Sequence, residues 1–539
     1  MNKLKPLLFL FLGLLISSNA IAQTPFTITI EPMAITELGG LQSYAYGQHD
    51  GKWLIVGGRL DGLHRRQPWA AFDEAGNNNQ IIVVDPMTQE KWSTSLTSLP
   101  TTIQEQLSAT NMNFHQTGDY LYCIGGYGFS RTLNNHTTYS NLTAINVSEV
   151  IKAIIAGTSI TPFFRQINES KFQVTGGHLN KIHDKYYLLG GQKFIGRYNP
   201  MGPGHGPGFL QEYTNSIRVF SIIDDGTIIT ISHLPSYTDR DNLHRRDYNA
   251  VAQIMPNGQE GITMFSGVFQ ETVDLPFLNS VNIDSNGYTV NNTFQQYYNH
   301  YHCAVIPLYS TIENKMHTVF FGGIAQFYDH DGTLVQDNNV PFVKTIARVT
   351  RNSEGQMAEY KLPIEMPSLM GAGAEFIPNP NIPQFDNEVF KLDDITEEPT
   401  LIGYIYGGIS SAAENIFFTN DGTQSSASSQ VFTVFLTKNV ILSVDKLNQQ
   451  PKGALNMLVY PNPNTGDFTI KYNLIKSGDV KISVFDINGK LLDEELIQNQ
   501  NVGEKSISKK ITGIAKGVVY FIQLETEYEK FTQKLITEN

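Results

Sequence analysis

Residues 120–126 read YLYCIGG, an apolar and β-rich run that ends in a double glycine. Four other runs have the same form, at residues 53–58, 186–191, 318–323 and 404–408. A sixth run, at residues 263–267, has Ser266 in place of the first glycine. Short apolar runs bounded by glycine predict strands, and their recurrence predicts six copies of one supersecondary unit. Each double glycine is expected to adopt positive φ and to let neighbouring backbone approach closely.

Each unit is predicted to contain four antiparallel strands. One strand precedes the double-glycine strand, a third follows after a loop, as at residues 80–85 and 216–221, and a short fourth follows, as at residues 91–93. The last unit shows no fourth strand of its own. Residues 27–32, near the start of the chain, are predicted to supply it. The sequence shows no helical periodicity of useful length.

These units resemble the kelch family over residues 24–440. The double glycines match the family pattern, and the first unit completes it with the Asp85-Pro86 turn and Trp92 six residues later. The resemblance implies an all-β fold, a six-bladed kelch-like β-propeller at residues 23–440. In such a ring the stacked sheets bury their faces and protect their edges.

Composition excludes several classes of protein. The 539 residues carry a formal net charge of −13, so a nucleic-acid partner is not expected.

Residues 1–22 are predicted to be a signal peptide, because two lysines precede an apolar run and residues 20–22 form a small-x-small cleavage site. No other apolar run is long enough to predict a transmembrane segment. Cys123 and Cys303 are expected to be buried free thiols rather than a disulfide.

The types of residue in the sequence change after residue 440. Residues 441–455 are predicted to be a linker, since they include an Asn-Gln-Gln-Pro-Lys-Gly run. Residues 456–539 contain alternating strands separated by turns, which predict a small C-terminal β-sandwich. An Asn-Gly pair at residues 488–489 predicts one hairpin of this segment.

This C-terminal segment resembles the type A sorting domain of type IX secretion substrates from Bacteroidetes bacteria. The resemblance rests on residues 460–466 (YPNPNTG), 484–490 (VFDINGK), 513–520 and 534–536. It implies that residues 456–539 have two partners, the type IX secretion machinery and a sortase-like peptidase. It also implies that the protein is secreted, or anchored at the outer-membrane surface.

One face of the predicted ring carries the long loops. Within each unit, the loop between the second and third strands emerges on this face. The connection from the fourth strand of one unit to the first strand of the next unit emerges on the same face. This face is predicted to bind an acidic glycan or acidic peptide, because Arg forks bind carboxylates bidentately. The candidate residues are Arg59, Arg65, Arg66, Trp69, Arg131, Arg197, Tyr198, Arg240, His244, Arg245 and Arg246. Alternatively, the arginines order the loops through ion pairs with Asp61, Asp73, Glu74, Asp239 and Asp247.

Other chemistries lack a matching pattern. No zinc motif and no nucleophile elbow occur in the sequence, and Asp329 and Asp331 are expected to form a hairpin turn rather than a calcium loop. No metal and no cofactor are predicted. Copper-radical oxidases share the kelch architecture and need two His, two Tyr and a Cys; the candidates here are Tyr297, Tyr298, His300, Tyr301, His302 and Cys303. However, Cys303 opens an apolar strand, and no second matched Tyr/His pair is found.

Two functions are compatible with the sequence. The first is a secreted or surface-anchored kelch propeller that binds a glycan or a protein. The second is a carbohydrate-active enzyme, an isomerase of the mutarotase type or an oxidase, that acts on an acidic sugar; a six-bladed kelch sialate mutarotase is the nearer analogue. An enzyme requires perturbed titratable groups that converge in one pocket, whereas a binding module requires a patterned face. The sequence assigns no catalytic residue.

Overall fold

Residues 24–65, 70–198, 209–439, 456–487, 489–511 and 515–538 are described by a computed structural model of the protein. The chain divides into two compact units, residues 1–439 and 440–539. The predicted signal peptide and linker lie outside the described residues, as does Asn488 of the expected hairpin.

The first three sheets of the first unit each consist of four antiparallel strands in sequence order. Sheet 1 contains Ala45–His49, Lys52–Val56, Gln80–Asp85 and Glu90–Ser95. Sheet 2 contains Asn113–Thr117, Tyr120–Ile124, Asn141–Asn146 and Phe164–Asn168. Sheet 3 contains His178–Ile182, Lys185–Leu189, Ser216–Asp224 and Ile229–His233, with the short strand Tyr237–Thr238 at its side.

Three more sheets repeat this pattern. Sheet 4 contains Asn249–Ile254, Glu260–Phe265, Ser280–Asp284 and Gly287–Asn291. Sheet 5 contains Ala304–Ser310, Lys315–Ile324, Phe342–Arg351 and Met357–Glu365, with Phe390–Lys391 paired to its first strand. Sheet 6 contains Met370–Pro378, Thr400–Ser411, Val431–Lys438 and, as its outer strand, Phe26–Met33, with Ser425–Ala427 at its side.

Sheet 6 joins the two ends of the first unit. Phe26–Met33 pairs antiparallel with Val431–Lys438 over its whole length, from Phe26 opposite Lys438 to Met33 opposite Val431. Phe26 and Ile28 point into the core beside Val434 and Leu436. The predicted N-to-C clasp is therefore confirmed.

Backbone hydrogen bonds at one end of the first strands join all six sheets in a closed ring. Each N–H donates to the carbonyl of the equivalent residue in the preceding sheet, over N···O distances of 2.8–3.3 Å. We call this the neck ring, and its members are Ser43, Asn111, Gly176, Asp247, His302 and Gly373. Since the Ser43 N–H donates to the Gly373 carbonyl, the chain of bonds returns to sheet 1. The six sheets therefore surround a common axis.

The double glycines adopt the backbone that the sequence predicts. Both glycines have positive φ at all five complete positions, and Ser266 takes the same left-handed conformation at the degenerate one, with φ of 52°. At Gly125 the reason is also steric, because a Cβ there would lie 1.9 Å from the Val174 carbonyl oxygen of the next sheet. The absence of a side chain at the double glycine thus allows the backbones of neighbouring sheets to lie in contact.

Gly125→Ala is expected to destabilise the protein more than Gly118→Ala. Both positions have positive φ, where a Cβ costs about 1–2 kcal/mol. Only Gly125 adds the clash with Val174, since no heavy atom lies within 4 Å of a Cβ at Gly118. Overpacking of this kind typically costs a further 1–3 kcal/mol. Thermal unfolding of both variants measures the difference, and equal melting temperatures would contradict the steric argument.

Several elements were not predicted. Two short α-helices, Thr101–Leu107 and Val147–Ala156, contradict the expectation that the chain lacks helices. The second carries signals that were available in the sequence: Asn146 caps its N-terminus, and Gly157 ends it in a left-handed conformation. Short 3₁₀ turns occur at Glu74–Gly76, Leu96–Ser98, Thr161–Phe163, Ser170–Phe172 and Leu392–Asp394.

The predicted loops also contain strands. An inserted sheet combines loops of sheets 2 and 3 and consists of Tyr127–Ser130, Asn135–Thr138, Gln192–Ile195 and Leu210–Tyr213. A hairpin of Phe327–His330 and Thr333–Gln336 extends from sheet 5. Cys123 and Cys303 are buried free thiols, as predicted. The architecture is all-β apart from the two short helices.

The second unit consists of two antiparallel sheets. One contains Asn456–Tyr460, Asp467–Leu474 and Gly503–Lys510, and the other contains Gly478–Phe485, Leu491–Gln500, Val519–Glu525 and Lys530–Ile536. Side chains of both sheets form one core, which includes Val459, Ile470, Ile482 and Leu535. Within the described residues of both units, no helix is long and apolar enough to cross a membrane.

Candidate functional site

A cavity of about 660 Å³, here called the face cavity, opens on the neck-ring side of the sheets. The loops between second and third strands of all six sheets line it, and so do connections into the first strands, as the strand order predicts. Its walls include one residue from each of these six loops: Arg59, Tyr127, Phe194, Phe269, Asn338 and Phe417.

Only some of the predicted ligand-face residues reach this cavity. Arg59, Tyr198, His244 and Arg246 line it. Five others are described by the structure but do not line it, namely Arg65, Arg131, Arg197, Arg240 and Arg245. Arg66 and Trp69 lie outside the described residues. Of the eleven candidates, the structure therefore brings four together in one cavity wall and places five outside it.

Arg59 lines the cavity, but its guanidinium makes its hydrogen bonds to other groups of the protein. Its Nε and Nη2 atoms donate to the Asp61 carboxylate, and Nη1 donates to Asn77 Oδ1 at 2.8 Å. Nη2 also donates to the Asp73 carbonyl at 3.0 Å. The side chain is 2% exposed, so Arg59 holds the loop of sheet 1 together.

Ion pairs also occupy other predicted arginines. Arg131 Nε lies 2.6 Å from Glu74, outside the cavity. Arg240 pairs with Glu271, and Arg246 pairs with Asp247. These pairs confirm the loop-ordering alternative for Arg59, Arg131 and Arg246, because each has a carboxylate partner that the sequence analysis named.

Arg245 is a correction to the predicted ligand face. It is fully buried, and its guanidinium donates to the carbonyls of Asn242, Ser266 and Asn279. The guanidinium also lies over the ring of Phe277, at 4.1 Å from the centroid. Burial lowers the pKa of Arg245 to about 9. Sequence reasoning missed this because adjacent arginines in a loop point in different directions.

Arg246, by contrast, lies in the wall of the cavity among aromatic rings. Its Nε donates to the Tyr213 hydroxyl at 2.9 Å, and Nη1 donates to Asp247. The guanidinium carbon lies 5.3 Å from the centre of the Phe269 ring. These contacts hold the side chain of Arg246 in place, and 11% of its surface remains exposed, on the cavity side. This guanidinium is preorganised rather than free to move.

His244 stacks on Tyr213 next to Arg246. The two rings are 3.7 Å apart and nearly parallel. Burial lowers the pKa of His244 below its ordinary value, so the ring is neutral at pH 7. Its Nδ1 lies 2.7 Å from Asn215 Oδ1, an oxygen that accepts, which leaves Nε2 as the unprotonated nitrogen. His244 thus presents a hydrogen-bond acceptor.

Aromatic side chains form most of the remaining wall. The ring of His64 packs against Phe72 at 5.3 Å and against Tyr198 at 4.8 Å. Further rings in the lining are Tyr127, Phe194, Phe209, Tyr301, Phe417 and Phe418. The sequence analysis expected aromatic residues on this face and named Trp69 and Tyr198, but it did not name Tyr213 or Phe269. The available signal was the frequency of aromatic residues in the same loops.

Below the face cavity, a second cavity of about 220 Å³ follows the axis of the ring. We call it the channel cavity. The two cavities share the neck-ring residues Ser43, Asn111, Gly176, Asp247 and His302. They therefore meet at the neck ring.

A histidine pair at this junction has an asymmetric environment. His302 Nε2 lies 3.1 Å from Glu375 Oε1, and the His178 ring stands 5.3 Å from the His302 ring. Burial opposes protonation of His302, but the carboxylates of Glu375 and Asp247 outweigh it and raise its pKa. Burial lowers the pKa of His178 to about 3, helped by the charge of His302. One imidazole therefore favours the proton, and the other stays neutral.

Comparison with known protein families adds the route of export. Residues 458–538 match the secretion system C-terminal sorting domain. They are a type IX secretion sorting domain. This confirms the resemblance of the C-terminal segment, and it makes the protein a secreted or outer-membrane surface-attached one that interacts with the secretion machinery.

Comparison with solved structures gives distant likenesses to this chain. No curated protein matches it. The structure described as "Structure of YjhT" is 11% identical with a TM-score of 0.39, and the alignment covers 74% of this chain and 97% of that one. A glycoside hydrolase family 43 arabinoxylan arabinofuranohydrolase from Bacillus subtilis is 11% identical with a TM-score of 0.28, covering 93% and 96%. At such TM-scores neither likeness carries a functional argument.

The described residues were compared with the ligand groups that a metal site requires. In the part of the chain that the structure describes, no three His, Cys, Asp or Glu side chains are grouped so as to hold an ion. His300, a copper-ligand candidate, is used by the fold, because its Nε2 donates to the Gln296 carbonyl and its Nδ1 accepts from the Gln326 N–H. Cys303 lies against Asn249, at 3.7 Å from Nδ2.

Proposed function

We propose that residues 24–439 form a six-bladed kelch-type β-propeller that binds a short glycan in the face cavity. Six sheets of four strands, the N-to-C clasp and the closed neck ring support the propeller assignment. In five of the six sheets, the double glycine that the sequence shares with kelch repeats lies at or near the end of the second strand. The sorting domain supplies export, so this propeller meets its ligand outside the cell.

The observation that carries the proposal is the setting of Arg246 in an aromatic wall. Small-molecule sites are concave and mostly apolar, with a few well-placed polar groups that orient the ligand. Aromatic rings offer flat faces to the C–H faces of sugars. Arg246 and Asp247 form a donor and acceptor pair, which matches neighbouring hydroxyl groups.

The charge balance of the cavity favours a neutral glycan over an acidic one. Arg59 and Arg246 both line the cavity, and each has a carboxylate partner. An acidic ligand would have to compete with Asp61 and Asp247 for these cations. A hydroxyl group needs no such exchange, because it donates to the carboxylate and accepts from the guanidinium at the same time.

The shape of the site favours a glycan over a protein partner. Stable protein interfaces bury about 800 Å² on each partner and are usually broad. The cavity is concave, and its volume of about 660 Å³ lies in the range of small-molecule sites, roughly 300–1,000 Å³. A short oligosaccharide fits this form.

Arg246→Met is expected to weaken glycan binding at least about tenfold, because hydrogen bonds to charged groups contribute about 1.5–3 kcal/mol each. The matched control is Arg131→Met, which removes an arginine from the same face but outside the cavity. A glycan array with the purified secreted protein identifies ligands, and titration calorimetry measures both variants. Unchanged affinity of Arg246→Met, with Arg131→Met as the reference, would contradict the assignment.

A second candidate function is acid–base catalysis on the bound glycan. The observation that favours it is the pair of imidazoles with opposite pKa displacements, of which His302 is oriented by Glu375. Such displacements mark functional sites more often than structural ones. The same array tests it, since each bound glycan is then incubated with the protein and followed by NMR for a new product. Binding without any product supports the binding module alone.

A further inference from the structure

We infer that the channel cavity is a deep subsite for the terminal sugar of the glycan, so that the protein recognises chain ends rather than chain interiors. This inference rests on the proposed glycan binding in the face cavity. The two cavities are continuous through the neck ring, whose residues line both. A ligand in the face cavity therefore has the channel cavity directly beneath it.

The walls of the channel cavity are suited to hydroxyl groups. They come from the first strands, in which alternate residues face the axis. On sheet 2 these are Asn113 and His115, and on sheet 3 they are His178 and Asn180. Sheets 1, 4 and 6 add Gln48, Asn249 and Glu375. The amide nitrogens of Asn113 and Asn249 are used by protein acceptors, whereas those of Gln48 and Asn180 each make one such bond and keep a second N–H. Asn113 Oδ1 is buried and accepts from no described group, so it offers an acceptor to a hydroxyl.

Asn111 is the neck residue with unused hydrogen-bonding capacity. Its backbone is committed to the neck ring, but its side-chain amide makes no hydrogen bond to any described residue. The residue is partly exposed and lines both cavities. The amide can donate and accept at once, as a vicinal pair of sugar hydroxyls requires. Across the ring, His302 and Asp247 present further polar groups to the same space.

The segment after Met370–Pro378 lines the far end of the channel cavity, where it contributes Asn387, Glu388 and Phe390. Asn387 Nδ2 donates to the Gln253 carbonyl of sheet 4 at 3.0 Å, and Phe390–Lys391 pairs with the first strand of sheet 5. The charge of Glu388 acts on Tyr46 of sheet 1, whose pKa is raised mainly by burial, and on His115 of sheet 2, whose pKa burial lowers against it.

The segment at the far end of the channel cavity has a consequence for selectivity. Because its residues lie where a threading polymer would have to leave, the inference is that only the end of a chain enters from the face cavity. The volume of about 220 Å³ far exceeds the roughly 10–15 Å³ that one water molecule needs. It is one third of the volume of the face cavity, which leaves room for a terminal group and not for a folded-back chain.

Chain-length dependence tests the inference on the unaltered protein. Malto-, cello-, xylo- and manno-oligosaccharides of two to eight sugars serve as probes in titration calorimetry. End recognition predicts an affinity per chain that levels off beyond a short oligomer and one protein bound per chain end. An affinity per chain that keeps rising with length, with several proteins bound on the longest chains, would overturn it.

Asn111→Gly tests the neck itself. Glycine already occupies two neck-ring positions, Gly176 and Gly373, and Asn111 has a φ of 52°, which glycine adopts freely. We expect at least a tenfold loss of affinity, whereas the control Asn134→Gly, at an exposed position with a φ of 49° that lines neither cavity, changes it less than twofold. Wild-type affinity of Asn111→Gly for the bound probe overturns the inference. If none of the probes and no array glycan binds wild-type protein, the proposed function fails, and the inference falls with it.

Discussion

Deletion of residues 24–33 is expected to lower the melting temperature of the secreted protein by at least about 10 °C, or to prevent folding. The deletion removes the outer strand of sheet 6 and uncovers the core residues Val434 and Leu436. Phe26 and Ile28 are each 2% exposed. Truncating buried side chains of these types costs about 2–5 kcal/mol each, before the lost hydrogen bonds of the strand are counted.

Point variants separate burial from simple truncation of the chain. Ile28→Ala removes a core side chain and is expected to cost about 2–5 kcal/mol. Thr29→Ala, on the exposed face of the same strand, is the control and should change stability by less than about 0.5 kcal/mol. Differential scanning calorimetry of the three variants measures these effects. An unchanged melting temperature after the deletion would show that the ring is stable without its clasp.

Acidification from pH 6.5 to pH 5 is expected to destabilise the protein by about 3 kcal/mol through two histidines alone. Burial lowers the pKa of His300 from 6.5 to about 4, and burial together with the charges of Arg348 and Lys315 lowers that of His317 to about 3. In the unfolded chain both titrate near 6.5, so the unfolded state binds more protons as the pH falls. Because the unfolded side chain is already half protonated at pH 6.5, each histidine costs about 1.5 kcal/mol over this interval.

The structural cause is visible at His300. Both ring nitrogens are used, with Nε2 donating to the Gln296 carbonyl and Nδ1 accepting from the Gln326 N–H. A proton on Nδ1 would destroy the second bond inside the core. His302 acts in the opposite direction, because its raised pKa contributes stability below pH 6.5 that is lost as the pH rises through its folded value.

Denaturant unfolding at several pH values measures the effect. His317→Asn removes one titrating group, and the slope of the unfolding free energy against pH between 6.5 and 5 should decrease by about one proton. His330→Asn is the matched control, because that side chain is 75% exposed. The carboxyl of Glu359, whose pKa burial raises to about 8, adds stability as the pH falls, so the comparison between variants decides. An equal slope in His317→Asn and in the wild type would contradict the burial of a neutral His317.

Local signals in the sequence were sufficient for the strands and their repetition. Alternating and continuous apolar runs identified the strands, and the double glycines marked the second strand of each sheet, since they need a backbone that only glycine adopts at low cost. Residues 27–32 were assigned to sheet 6 because the strand count of the last unit was incomplete. The sorting domain was recognisable from short motifs in a fixed order.

The composition of the loops was a weaker guide to the candidate site. Arg245 and Arg246 are adjacent and chemically identical, yet one is buried under Phe277 and the other faces the cavity. Their directions depend on the path of a loop between sheets 3 and 4, which no local pattern encodes. The inserted sheet was missed for the same reason, because its strands come from two loops that are distant in sequence.

Periodicity and turn chemistry act over a few residues, so the order of the strands, the double-glycine turns and the export signal could be derived from the chain as written. The neck ring, the channel cavity, and the pairing of His302 with Glu375 depend on contacts between residues far apart in sequence. Such contacts arise only when six sheets close around one axis. Closure brings one position from each sheet, four of them polar and two of them glycine, to the neck where two cavities meet.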